Sequence, residues 1–113
     1  MEIKENEFIR TKTGKIDKVI NNNYYMSQYI ECEKRIVEKE NIVKHSFNII
    51  DLIEIGDIVN GYRIDERAEH DVLIHKARGI NRSGFMIPVA QYNEDIKTIL
   101  THEQYERNCY KIN

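Results

Sequence analysis

The chain has 113 residues, of which 41% are hydrophobic and 32% charged, and its net charge is −2. This composition is typical of one globular domain, residues 1–113, and excludes a disordered chain. The pI of about 6.1 disfavours a nucleic-acid-binding domain, because such domains usually carry a clear excess of positive charge.

The first half of the chain has the spacing of short strands. Strands are predicted in "EFIRT" and "KIDKVI", with Gly14 in the turn between them. Asparagines at 21–23 predict a second turn, and "YYMSQYI" predicts a third strand, because aromatic and β-branched residues favour strands. The segment from Glu31 to Lys44 fits either a helix or two short strands around "EKEN". We favour strands, since few of its apolar positions follow the helical period.

Two short helices are predicted. "HSFNIIDLIE" indicates one near 46–54, with Ser46 available as its cap. "THEQYER" indicates another near 101–107. There Thr101 and Gln104 have the spacing of a capping box, in which each side chain bonds to the other residue's backbone.

A tight hairpin is predicted at Asn60-Gly61, because these residue types tolerate the positive φ angles that a type I′ turn needs. In this register Val59 lies opposite Tyr62 across the hairpin. Asp57 falls on the same face, so either it lies at the open rim of the sheet or the register is off by one residue, and we favour the rim.

The remaining strands are predicted in "DVLIHKA", "FMIPVA", "IKTIL" and "CYKI". Pro88 has no N–H for a ladder, so its strand is expected at an edge or a bulge. The order of elements from Ile55 to Ile112 resembles the SH3-like barrel, which often has a short helical turn before its last strand. The sequence therefore predicts a mainly β fold: a small antiparallel β-barrel, SH3-like in its C-terminal half, with the two short helices.

One basic loop is a candidate binding site. "HKARGINRSGF" places Lys76, Arg78 and Arg82 beside Ser83 and two glycines. Forked guanidinium donors and accessible backbone amides suit a phosphate or a carboxylate. The alternative is an exposed loop whose charges only keep it solvated.

Tyrosines form the second candidate. Strand alternation places Tyr25 and Tyr29 on one face of "YYMSQYI". Either this face packs in the core, or it is exposed, and exposed tyrosine is typical of interfaces and also stacks on bases.

Catalytic and metal-binding patterns are not found. The four histidines and two cysteines have no metal-ligand spacing, so we expect no metal, and Cys32 and Cys109 are expected to be reduced. "DERAEHD" places His70 between two carboxylates, but it is more simply a solvated loop. We therefore expect a protein that is not an enzyme and has no cofactor.

Three segments together carry a family resemblance: "FIRTKTGKI", "HSFNIIDLIEIGDIVNGYRI" and "IKTILTHEQYERNCYKI". They resemble a family of small proteins encoded by phages and prophages of low-G+C Gram-positive bacteria. The match spans most of the chain and is weakest over 64–95. It implies a phage accessory protein. No apolar run approaches the roughly 20 residues that cross a bilayer, and the N-terminus has no signal-type apolar stretch, so we expect no membrane association and a location in the cytoplasm of the infected bacterial host.

Such accessory proteins commonly bind without catalysis. The resemblance implies a counter-defence inhibitor of the anti-CRISPR type, which blocks a bacterial defence protein or its complex. One alternative is a sponge, a protein that sequesters a nucleotide defence signal, here through Arg78, Arg82 and a tyrosine platform. Such a sponge is expected to act as a homo-oligomer. Another is a nucleic-acid-binding β-barrel that uses the basic strip of Lys12, Lys15 and Lys18.

Overall fold

The computed structural model describes residues 2–22, 28–64, 77–80, 86–90 and 93–109. Over these residues the fold is mainly β, as predicted, and consists of two antiparallel five-stranded sheets. The first sheet contains β1 (Phe8–Thr11), β2 (Ile16–Asn21), β3 (Tyr29–Cys32), β4 (Ile36–Glu38) and β5 (Ile42–Ser46). The second contains β6 (Ile58–Val59), β7 (Tyr62–Ile64), β8 (Ala77–Ile80), β9 (Met86–Ala90) and β10 (Ile99–Leu100).

The first sheet has the order β4-β3-β2-β1-β5 and is strongly curled. Its two edge strands, β4 and β5, are joined by a single 3-10 turn, Lys39–Asn41. In a flat sheet these edges would be about 19 Å apart, at about 4.8 Å for each neighbouring pair, which is too far for so short a connection. The curl surrounds a core of apolar side chains: Ile3, Ile9, Val19, Ile30, Cys32, Val37 and Ile42.

The strands β4 and β5 confirm the interpretation of residues 31–44 as two short strands around "EKEN". They do not pair with each other, because β4 pairs with β3 and β5 pairs with β1 in the described part of the chain. The curl is therefore open.

The second sheet has the order β10-β6-β7-β8-β9. The hairpin at Asn60-Gly61 is confirmed: φ is 52° at Asn60 and 86° at Gly61, and Val59 pairs with Tyr62. Pro88 lies in β9, an edge strand of the described sheet, as predicted. The core next to this second sheet consists of Ile50, Ile53, Val59 and Ile64, with Ile96 and Ile99 packed against them.

These described strands form no closed barrel, so the small barrel and its SH3-like C-terminal half are not confirmed. The predicted strand "CYKI" beyond Cys109, and "DVLIHKA" except Ala77, lie outside the described residues. No helix in the described ranges is long and apolar enough to cross a membrane.

The C-terminal helix is confirmed as α1 (His102–Asn108). Thr101 Oγ1 accepts a hydrogen bond from Gln104 N at 3.4 Å, and the Gln104 side chain lies 3.5 Å from Thr101 N. The capping box therefore has the reciprocal form that the sequence predicts. A short 3-10 turn, Asn93–Asp95, precedes β10.

The predicted helix near 46–54 is wrong in type and extent, because only a 3-10 turn, Ile49–Leu52, forms there. Ser46 is the last residue of β5 and does not cap a helix. Its hydroxyl donates to Asp51 at 2.5 Å and accepts from Asn48 N at 3.0 Å. Local bonds of this kind stabilise a turn in competition with a helix.

The position expected for Asp57 is also wrong, because Asp57 is fully buried instead of lying at a rim. Both of its carboxylate oxygens accept hydrogen bonds from Arg10, which is fully buried as well. A buried carboxylate is stable when a guanidinium pairs with it. The pattern around Asp57 could not show this partner, because Arg10 lies 47 residues away in the chain.

Candidate functional site

An open groove of about 520 Å³ lies between the β1–β2 turn and strand β4. We call it the turn groove, and it is lined by residues 11–13, 15, 29, 35–38 and 41. Its volume is within the range of known ligand pockets. The groove is open to solvent, so it can accept part of a larger molecule.

The turn groove has more positive than negative side chains. Among the described lining residues, Lys12, Lys15 and Arg35 face it, and Glu38 is the one carboxylate. Lys12 and Lys15 are exposed, and within the described residues their ammonium groups make no hydrogen bond or ion pair. The groove therefore presents cations that are free to meet an anionic group.

Arg35 is held at the end of the groove by a buried carboxylate. Asp17 is 5% exposed, and its oxygens accept from the backbone N of Lys18 at 2.8 Å and of Lys34 at 3.1 Å. These bonds fix the β3–β4 turn, and Arg35 follows it with Nε 3.9 Å from Asp17. The Nη1 atom of Arg35 is buried and has no hydrogen-bond partner in the described part of the chain.

The opposite wall is the β1–β2 turn, which is fixed at both of its sides. Gly14 has φ of +83°, and a Cβ there would collide with Thr101 Oγ1 and contact Glu103. Thr101 Oγ1 donates to Gly14 O at 2.8 Å, and Lys12 N donates to Asn41 O at 2.8 Å. The turn is therefore tied to the cap of α1 and to the 3-10 turn before β5.

Tyr29, one of the predicted binding residues, does line the turn groove. It is half-buried in β3, and its hydroxyl donates to Glu38 Oε1 at 3.3 Å. The negative charge of Glu38, followed by this hydrogen bond, raises the pKa of Tyr29. The phenol therefore stays neutral at physiological pH and keeps its proton for donation.

Of the other predicted site residues, the structure describes only Arg78, and it is not among the described residues that line this groove. Tyr25, Lys76, Arg82 and Ser83 lie outside the described residues, and Arg78 lies in β8, where it pairs with Pro88. The predicted loop is therefore wrong over residues 77–80, which pair as a strand, and the binding role of the basic residues stays a prediction.

Sequence reasoning treated Tyr29 and the lysines of the β1–β2 turn as separate features, and it missed Arg35. No local pattern marks Arg35, because its place in the groove depends on the curl of the first sheet and on Asp17.

A group of buried and partly buried charges lies elsewhere, between the two sheets. We call it the Arg10 cluster: Arg10 with Glu54, Asp57, His102 and Glu103. Arg10 is 0% exposed and contacts Asp57 at 2.5 and 3.0 Å, Glu103 at 2.5 Å and Glu54 at 3.5 Å. It joins β1 to the start of the second sheet and to α1.

Part of this cluster has donors that suit a metal ion. Oxygen or nitrogen atoms of Glu54, His102 and Glu103 lie within 4.8 Å of one another. However, Arg10 contacts both carboxylates, and Lys44 Nζ lies 3.3 Å from Glu54. Two cationic side chains therefore already neutralise the carboxylates that a divalent ion would need. We interpret this group as a structural ion-pair network.

Charges within the cluster set the ionisation of Glu54. Burial alone would raise its pKa, but the hydrogen bond from His102 at 2.9 Å and the charges of Arg10 and Lys44 together lower it. Cys32 shows the opposite effect, because burial, followed by the charge of Asp17, raises the pKa of its thiol to about 11. Cys32 and Cys109 are free thiols.

Comparisons of the chain with protein-family models, curated proteins and solved structures found no match. Function is therefore argued from the turn groove, where free cations, a neutral tyrosine and a half-exposed isoleucine, Ile36, share one open surface. These groups offer charge, hydrogen bonding and apolar contact to another molecule.

Proposed function

We propose that the protein is a phage counter-defence inhibitor of the anti-CRISPR type, which binds a bacterial defence protein and blocks its complex without catalysis. The phage origin and the host cytoplasm as its location rest on the sequence resemblance. The observation that supports binding is the composition of the turn groove.

The groove offers the contacts that protein interfaces use. Tyr29 supplies a rigid amphipathic ring, and tyrosine and arginine are enriched in interfaces. Ile36 is 52% exposed and supplies apolar area beside it. Lys12 and Lys15 attract an acidic partner and accelerate encounter, although the whole chain has a net charge of −2.

The test measures the stoichiometry of inhibition by wild type and compares two double variants that have the same net charge. The tagged protein is expressed in a host whose defence system it suppresses, and the captured partner is identified and titrated. Wild type should inhibit at about one molecule per target. The double variant Lys12→Glu, Lys15→Glu should lose capture and inhibition, whereas the matched control Lys4→Glu, Lys97→Glu should retain both.

Two outcomes would contradict the proposal. Complete inhibition at far fewer molecules than targets would indicate an enzyme. Undiminished capture by the Lys12→Glu, Lys15→Glu variant would show that the partner binds elsewhere, and the turn groove would then lose its role.

The same cations support a second candidate function, a sponge for a nucleotide defence signal. Lys12, Lys15 and Arg35 suit phosphate groups, and Tyr29 can stack on a base. Under this function, denaturing the purified protein should release a nucleotide, or calorimetry with cyclic oligonucleotides should show binding. An empty supernatant without any calorimetric response would eliminate the sponge. A nucleic-acid-binding β-barrel has less support, because of the net charge of −2.

A further inference from the structure

Strand β4 has one edge that pairs with no other described strand of its sheet. Two backbone hydrogen bonds fix its register on β3: Cys32 N donates to Arg35 O at 2.9 Å, and Lys39 N donates to Gln28 O at 2.8 Å. In an antiparallel ladder, hydrogen-bonded pairs alternate with non-hydrogen-bonded ones. Every second residue of β4 therefore directs its backbone groups toward β3.

Ile36 and Glu38 are the alternate residues, so their backbone groups point away from β3. Within the described ranges β4 pairs with no strand other than β3, and no hydrogen bond uses the N–H or C=O of Ile36 or the N–H of Glu38. Both residues line the turn groove. The groove is therefore bordered by an open strand edge with two donors and an acceptor.

The charges of the turn groove determine which kind of polypeptide chain can bind along this edge. Lys12 and Lys15 lie in the β1–β2 turn across the groove, and Arg35 immediately precedes β4. The carboxylate of Glu38, the one acidic group among the described residues of the groove, already accepts a hydrogen bond from Tyr29. A chain laid against β4 would pass beside three cations, which favours acidic side chains.

We propose that the turn groove receives an extended, acidic segment of the partner protein, which adds to β4 as a sixth strand of the first sheet. The inference rests on the proposed function in one respect, that the partner is a protein. In strand addition, backbone hydrogen bonds provide affinity and alternate side chains provide specificity. Here Ile36 donates and accepts, Glu38 N–H donates, and acidic side chains reach Lys12 and Lys15.

Two substitutions at Glu38 separate the backbone bond from the charge. Glu38 has φ of −72° and ψ of 132°, which proline can adopt. Glu38→Pro therefore removes the outward N–H without breaking a bond to β3. Glu38→Gln removes the same carboxylate and keeps the N–H, so it is the matched control.

The probe is a fluorescein-labelled octapeptide of alternating aspartate and valine, and its lysine–valine counterpart is the peptide control. Binding is measured by fluorescence anisotropy, and amide exchange by NMR of the labelled protein. The acidic peptide should bind and slow exchange at Ile36 and Glu38. Glu38→Gln should bind it at least as tightly as wild type. Glu38→Pro should weaken binding about fivefold, the loss expected for one backbone hydrogen bond.

Several results would overturn the inference. Absence of binding at millimolar peptide would do so, as would equal affinity of the two Glu38 variants for the acidic peptide, which would indicate charge attraction without a bond to the Glu38 N–H. Strong protection of the Ile36 and Glu38 amides in the protein by itself would show that the chain covers its own edge.

The proposed function fails separately. If Glu38→Pro still forms an inhibitory complex as tight as wild type, only strand addition is lost. If wild type captures no defence protein and does not inhibit, the proposed function itself is lost.

Discussion

Arg10 is wholly buried and contacts three carboxylates, whereas Lys12 and Lys15 in the next turn are exposed and have no carboxylate partner among the described residues. Burial explains the difference, because a buried charge must be paired, while an exposed cation remains hydrated at little cost. Charges in the Arg10 cluster are satisfied within the chain. Those of the turn groove stay available to another molecule.

The two regions are nevertheless connected. Thr101 caps α1, which supplies His102 and Glu103 to the Arg10 cluster, and its hydroxyl also donates to Gly14 O in the wall of the turn groove. The Arg10 cluster therefore stabilises the turn groove, which we propose as the binding surface. Substitutions in the Arg10 cluster should therefore reduce stability, whereas substitutions in the turn groove should reduce binding.

The largest effect is expected from Arg10→Leu. It leaves Asp57 buried without its guanidinium, and breaking a buried ion pair in this way costs about 3–5 kcal/mol. Lys12→Leu, the same change at an exposed position, should alter the free energy of unfolding by less than about 0.5 kcal/mol. Urea denaturation followed by circular dichroism measures both. Equal losses would mean that burial does not separate the two regions.

Gly14→Ala tests the connection between them. The alanine would be strained at φ of +83° and would displace Thr101 from its cap, so we expect a loss of about 2 kcal/mol or more. Gly61→Ala is the matched control, because φ is +86° there and nothing lies within 4 Å of the added Cβ. Strain alone should cost about 1–2 kcal/mol. A Gly14→Ala loss no larger than that of Gly61→Ala would refute the tie to Thr101.

Acid should destabilise the cluster through Glu54. Its pKa is lower in the folded protein than its usual value of about 4.3, so its contribution to stability is full above that value and is lost as pH falls through the folded pKa. Urea midpoints measured from pH 6 to pH 3 should therefore fall less steeply in Glu54→Gln than in wild type. Identical slopes would show that Glu54 is not stabilised by His102, Arg10 and Lys44.

What the sequence could predict depends on how local the cause is. Asn60-Gly61 and the pair Thr101 and Gln104 act over a few residues, and both were predicted correctly. Asp57 was misplaced because its partner is distant in sequence. The groove was not predicted as a unit, since curling of the first sheet is what brings Tyr29 to the β1–β2 turn. Hydrophobic periodicity gives no signal for that contact.

The smallest effect concerns Tyr29, the predicted site residue that the structure places in the groove. The charge of Glu38 and its hydrogen bond raise the pKa of Tyr29, so Glu38→Gln should lower it toward the usual value of about 10. Arg63→Gln, which changes an exposed charge in the second sheet, is the control and should leave it unchanged. The pKa is measured from the Tyr29 side-chain carbon signal in an NMR pH titration. If the Tyr29 pKa does not change in Glu38→Gln, Glu38 does not raise it. Binding of the acidic peptide should raise the Tyr29 pKa further, because it brings more negative charge to the ring.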